Sequence, residues 1–218
     1  VHSVSCPNCG AEQAVSATTV LHPGDRAVEE LFAGHLNRVS CLSCGTPFVL
    51  DVPILFRDDE DRYLVYFMSL ADGRDWRTAE REMRQLTEKL FAEIGDMVEP
   101  ECRLVTTRGD LIEKIALHAR NLDDRLVEYV KYQLMQNPDW QGKLDPVRHR
   151  MLYDFSSGDG DKLAFIVFDR ETGDAVAGAH LPMDDFRDIE ETFEANGQIQ
   201  EELDRLFPGY YVSVDRLL

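Results

Sequence analysis

Positive charge is scarce in this chain: Lys and Arg number 23 against 41 Asp and Glu, a formal net charge of −18 over 218 residues. That field repels a phosphate backbone at long range, and the first part of the chain offers no basic cluster against it, only the acidic run Asp58-Asp59-Glu60-Asp61. Nucleic acid is therefore not an expected partner. Long apolar runs are also missing, and none approaches the roughly 18 residues that mark a spanning helix, so no membrane segment is expected. Nothing resembles a secretory signal. Cysteine is sparse, at five residues, which argues against a disulfide framework and makes a cytoplasmic location the expectation. The six histidines are scattered and form no H-E-x-x-H pair, so the familiar hydrolytic zinc helix is excluded.

Four of the five cysteines are concentrated in two C-x-x-C-G knuckles, Cys6-Pro7-Asn8-Cys9-Gly10 and Cys41-Leu42-Ser43-Cys44-Gly45. Two residues between cysteines let both sulfurs of a tight turn face one ion, and a second such turn completes a tetrahedron with Zn–S bonds of about 2.3 Å. Pro7 fixes φ early in the first turn, and Gly10 and Gly45 stand after the second sulfur, where a positive φ is often needed. The expected ligands are Cys6, Cys9, Cys41 and Cys44, and the expected cofactor is one structural zinc ion, with iron as the alternative because rubredoxin-like sites use the same paired knuckles.

The fold class expected is α+β, in three parts. Residues 1–70 read as a zinc-ribbon-like β domain with a helical insertion. In it, Ala14 to Leu21 and Tyr63 to Met68 read as strands, Arg26 to Gly34 as a short helix, and the apolar segment Thr46 to Leu55 as an edge strand flanked by prolines. Residues 71–137 read as a helical segment with one short strand. Its long helix over 72–95 carries the stripe Trp76, Ala79, Met83, Leu86, Leu90 and Ile94, with Asp75 as N-cap and Gly95 as stop. That stripe is a core face, or alternatively the face of a homodimer. The strand Arg103 to Thr107 follows, then a helix opened by Asp110 and Glu113 and a second opened by Asp123-Asp124, where two acids suit the helix dipole. Residues 138–218 read as a small α+β unit: a meander of Met151 to Phe155, Leu163 to Phe168 and Ala175 to Leu181, helices from Met183 and from Ile199, and a last strand Tyr210 to Val214. The Gly158-Asp159-Gly160-Asp161 turn lacks the ligand spacing of an EF-hand and reads as an ordinary hairpin turn.

The order C-P-N-C-G, then Leu31-Phe32-Ala33-Gly34-His35-Leu36-Asn37, then C-L-S-C-G, then Pro53-Ile54-Leu55-Phe56-Arg57-Asp58 resembles the bacterial and archaeal CpXC family. Leu104 to Thr107, Glu113-Lys114-Ile115 and Leu122-Asp123-Asp124-Arg125 continue the likeness, which covers roughly residues 1–135. Leu42 stands where that family commonly has proline, a turn preference and not a ligand. The resemblance implies a metal-binding fold and brings no activity with it.

Three further residues invite a role. His35 is a candidate donor to a thiolate, though a surface position is expected. Asn37 is expected to turn the chain toward Cys41. Cys102, beside Arg103, is expected to be a buried small hydrophobe, with a reactive thiol as the alternative. The function expected is a non-catalytic zinc-binding module that engages an unidentified protein partner. The alternative is a rubredoxin-like electron carrier or a thiol-based redox protein.

Overall fold

The computed structural model describes residues 2–70, 75–94, 100–137, 144–157 and 160–217. The fold is mixed α+β, with four small sheets and six α-helices among the described residues. Contacts gather the chain into two compact units, Val1–Ile112 and Glu113–Leu218.

The first unit is built on a four-stranded sheet. Its strands are β3 (Val20–Leu21), β6 (Ile54–Asp58), β7 (Tyr63–Phe67) and β8 (Glu101–Val105), in the order β3-β6-β7-β8. β6 and β7 alternate buried and half-buried or exposed residues, as a sheet with one covered face requires, and Ile54, Phe56, Val65 and Phe67 supply its core. β7 and β8 run parallel. Parallel neighbours need a long crossover, and helix α2 (Trp76–Ile94) supplies it. Asp75 accepts from Thr78 N–H at 2.8 Å, so it caps α2 as its sequence predicts. The stripe turns inward at Ala79 and Met83, which are buried, while Gly95, the expected stop, lies outside the described residues.

Two further sheets in this unit are hairpins. β1 (His2–Ser5) pairs with β2 (Glu12–Val15), and β4 (Arg38–Ser40) pairs with β5 (Pro47–Val49). Helix α1 (Arg26–Phe32) lies between them in sequence. The strand expected from Ala14 to Leu21 is thus two strands in different sheets, and the break has a visible cause. Asn37, in the left-handed region at φ 59°, accepts from Thr18 N–H and donates to Thr18 carbonyl oxygen, each at 2.8 Å. One side-chain amide satisfies the peptide groups that a continuous strand would pair in a ladder. The expected strand Thr46 to Leu55 divides likewise: Leu50 N–H still bonds Asn37 in the hairpin, whereas Leu55 N–H bonds Thr19 in the larger sheet.

The second unit holds an antiparallel meander, β9 (His149–Tyr153), β10 (Lys162–Asp169) and β11 (Ala175–Pro182), with β10 central. Helices α5 (Met183–Ala195) and α6 (Gly197–Leu206) follow it, and α4 (Asp124–Gln136) precedes it. Phe165, Val167, Phe186, Phe193 and Leu203 are buried here, and Tyr129 meets Phe193 edge-on with ring centres 5.3 Å apart. Gly158 and Asp159, in the β9–β10 connection, lie outside the described residues. The expected final strand Tyr210 to Val214 is absent. Tyr211, Val212 and Val214 are buried, yet Val214 N–H donates to a Glu128 carboxylate oxygen at 2.7 Å, and a 3-10 turn, Val214–Leu217, follows. The apolar run is inside, but its amide finds a carboxylate in place of a ladder.

Helix α3 (Arg108–Ala119) opens earlier than expected, because Thr107 and Asp110 form the reciprocal cap: Asp110 N–H donates to Thr107 Oγ1 at 3.2 Å, and that hydroxyl donates to the Asp110 carboxylate at 3.0 Å. Glu113 is instead a member of a buried ionic cluster. Lys131 Nζ lies 2.7 Å from Glu113 and 2.8 Å from Glu128, and Lys114 Nζ lies 2.8 Å from Asp124. All five side chains are within a few per cent of full burial. The Asp123-Asp124 pair divides its duties accordingly. Asp123 caps α4 by accepting from Arg125 N–H, and Asp124, in the first turn as expected, is also the buried counter-ion of Lys114. Burial opposes the Lys131 charge, but Glu113 and Glu128 outweigh it and hold that lysine above its ordinary pKa range. Burial pushes Glu113 upward against the pull of Lys131, which fits a cluster of three carboxyls sharing two ammonium groups.

Candidate metal centre

Each knuckle is the tip of a hairpin. In the first, Cys6 N–H bonds Ala11 carbonyl oxygen and Gly10 N–H bonds Cys6 carbonyl oxygen, both at 2.9 Å. In the second, Cys41 N–H to Thr46 and Gly45 N–H to Cys41 repeat the pattern at 2.9 Å. Gly10 and Gly45 take φ of 71° and 73°, the left-handed conformation for which their sequence position argues. The two turns are therefore near copies facing one another.

Between them the sulfurs meet. Cys6 Sγ lies 3.8 Å from Cys44 Sγ, and Cys9 Sγ lies 3.6 Å from Cys41 Sγ. All four fall within 4.8 Å of one another. A tetrahedron with Zn–S bonds of 2.3 Å has edges of about 3.8 Å. The spacing thus fits a single ion with four thiolate ligands. Cys6 and Cys41 are buried, at 3% exposure each, while Cys9 and Cys44 face solvent.

Polar groups around the sulfurs favour thiolates unequally. The Thr46 side chain, then its backbone, then Asn8 pull the Cys44 thiol down to about 5. The backbone N–H groups of Cys44 and Ser43 lower Cys41, and the Ser43 N–H points at its sulfur over 3.4 Å. Cys9 goes the other way: Ala11 N–H lowers it, but the Cys44 and Cys41 sulfurs with burial outweigh that and carry it to about 12. Four sulfurs this close cannot all ionise unless a cation offsets their mutual repulsion.

The second hairpin is fixed to its unit at its base. Arg108 donates to Leu36 carbonyl oxygen at 3.3 Å and to Leu50 carbonyl oxygen at 2.9 Å, the residues that enter and leave the β4–β5 hairpin. Its guanidinium also lies 5.9 Å from the Phe67 ring centre. Sequence reasoning passes over Arg108, Asn8, Thr46 and Gln13, because no spacing rule ties them to the cysteines. His35 is exposed, as expected of a surface histidine, and Asn37 makes the turn assigned to it. Cys102 is buried, with its sulfur 3.4 Å from Pro100 carbonyl oxygen.

Paired knuckles on matched hairpins, beside a mixed sheet, define a four-cysteine cluster protein of α+β fold. The chain belongs to the CpXC family, since the family model described as CpXC protein matches residues 4–131. No curated protein and no solved structure matches it. No helix among the described residues is long and apolar enough to cross a membrane.

Proposed function

We propose that Cys6, Cys9, Cys41 and Cys44 bind one zinc ion as a structural, ribbon-like site, and that the chain serves as a non-catalytic module that engages a protein partner. The observation that carries the metal reading is the sulfur spacing, with cross-knuckle distances of 3.8 and 3.6 Å. Four protein ligands fill a tetrahedral ion and leave no position for substrate water, which supports a structural role over a hydrolytic one. The charge of −18 supports a partner surface that is neutral or basic. Metal analysis of purified protein tests the reading: one zinc per chain and a colourless solution are expected, while a visible thiolate-to-iron absorption that bleaches on reduction would establish the iron alternative.

The same experiment extends to a ligand variant. Cys41→Ser removes a buried sulfur and is expected to abolish stoichiometric zinc. From sequence, its loss would unfold all of residues 1–70. The sheet of β3, β6, β7 and β8 has its own apolar core. The expected damage is therefore confined to the two hairpins, read as amide exchange quickened, short of the unfolded rate, over 2–15 and 38–49 and unchanged in β6 and β7. Stoichiometric zinc in Cys41→Ser would remove the four-ligand assignment.

A further inference from the structure

The hairpins that carry the knuckles also meet through side chains that hold no metal. Gln13, on β2, is buried at 8% exposure. Its Oε1 accepts from Leu42 N–H at 2.8 Å, and its Nε2 donates to Ser40 carbonyl oxygen at 3.2 Å. Those two backbone groups lie on either side of Cys41. A residue of the first hairpin thus brackets the buried ligand of the second. On the other side of the site, Asn8, between Cys6 and Cys9, donates to Thr46 Oγ1 at 3.1 Å and approaches Cys44 Sγ at 3.7 Å. Both bridges run between the knuckles, and neither needs an ion.

The chemistry of Gln13 suits this place narrowly. Only a primary amide donates and accepts at once on a flexible stem of that length; a carboxylate keeps the acceptor alone, and an ammonium only the donor. The Ser40 and Leu42 peptide groups are one acceptor and one donor, so the match is complete. Cys41 N–H is already committed to Thr46 within its own turn. The remaining freedom of the knuckle is a tilt of that turn as a body, and two bonds straddling Cys41 oppose it.

We propose that Gln13 is a positioning residue for the metal centre: it sets the direction of the Cys41 sulfur through the peptide groups on either side, and it does so before metal arrives. The proposal rests on the reading of the four sulfurs as a metal site, and it adds that the second knuckle is preformed, not organised by the ion. Supporting residues of this kind shift metal affinity by roughly 10- to 100-fold when removed.

Full-length Gln13→Met, which keeps length and volume while deleting both bonds, is the test. Zinc affinity measured against a chromophoric chelator is expected to fall within that range, and the cobalt-substituted protein is expected to show shifted thiolate charge-transfer and ligand-field bands. A role confined to fold stability would leave those bands in place. In the metal-free protein, exchange at the Leu42 amide is expected to be slow in wild type and fast in Gln13→Met. Where Gln13→Met does not fold, Gln13→Glu replaces it, with Leu42 protection retained, the bond to Ser40 lost and an intermediate affinity. Unchanged affinity and unchanged cobalt bands overturn the proposal, as does equal Leu42 exchange in metal-free wild type and variant. A wild-type chain that takes up no metal at all would defeat the metal reading instead, and the Leu42 measurement would still decide whether Gln13 holds the knuckle.

Discussion

Lys131 shows how much a single side chain carries in the second unit. Its side chain is 2% exposed and its ammonium serves Glu113 and Glu128, which in turn accept from Tyr153 N–H and Val214 N–H. One cation thereby tethers α4, α3, β9 and the C-terminal turn through two carboxylates. Taking it away leaves Glu113 buried without its ion-pair partner and Glu128 with Lys114 alone, 3.5 Å away, a loss of about 3–5 kcal/mol in comparable pairs. Lys131→Met is expected to destabilise this unit by that amount in urea denaturation followed by amide exchange of β9 and β10, and adding Glu113→Gln is expected to restore part of it. Equal midpoints for wild type and Lys131→Met would show that the cluster contributes little. At this scale sequence is a poor guide. Glu113 and Asp124 each sit where a capping acid belongs, and only the fold reveals that lysines 114 and 131 approach them. The four cysteines are legible for the opposite reason, since their chemistry is carried by local spacing that survives any packing.

Among the elements, hairpins and their turns were readable wherever alternation and turn residues coincide. β7, β10 and β11 match their expected spans closely, and the meander order follows from their short connections. Strands that change sheets were not, because Val15 to Val20 is rich in β-branched Val and Thr and Val49 to Ile54 is apolar, so that each reads as continuous. Their breaks are set by Asn37 and by the pairing of Leu55 with Thr19, which are distant in sequence. The β10–β11 turn offers an element-scale prediction. Asp169, where β10 ends, accepts from Arg148 and from the amides of Thr172 and Glu171, and in that order these hold its carboxyl below the usual aspartate range. A pKa lower in the folded than in the unfolded state adds stability above the unfolded value, near 3.9, and that contribution disappears as pH falls through the folded value. Asp169→Asn is therefore expected to lower stability at neutral pH and to flatten its acid dependence below about pH 4. Parallel pH profiles for wild type and variant would contradict it.

For the whole molecule, two compact units divide the chain near Ile112, and the cysteine cluster lies wholly in the first. Metal removal by a strong chelator is accordingly expected to leave exchange protection in β9, β10 and β11 unchanged and to quicken exchange in the two knuckle hairpins, least of all at the Leu42 amide that Gln13 holds. Loss of protection throughout the second unit would show that the ion supports both. The charge of −18 is also a property of the whole chain. It favours solubility and steers basic partners, without selecting one.

The unequal burial of the four sulfurs has a consequence for how a metal would leave. Cys9 and Cys44 are the ones that chelators and oxidants reach, and they belong to different knuckles. So do the two sheltered sulfurs, Cys6 and Cys41. Each knuckle thus pairs one sheltered sulfur with one exposed. In a metal-bound chain Cys9 and Cys44 would be the thiolates a chelator or oxidant meets first, while Cys6 and Cys41 would hold their hairpins to the ion from the sheltered side.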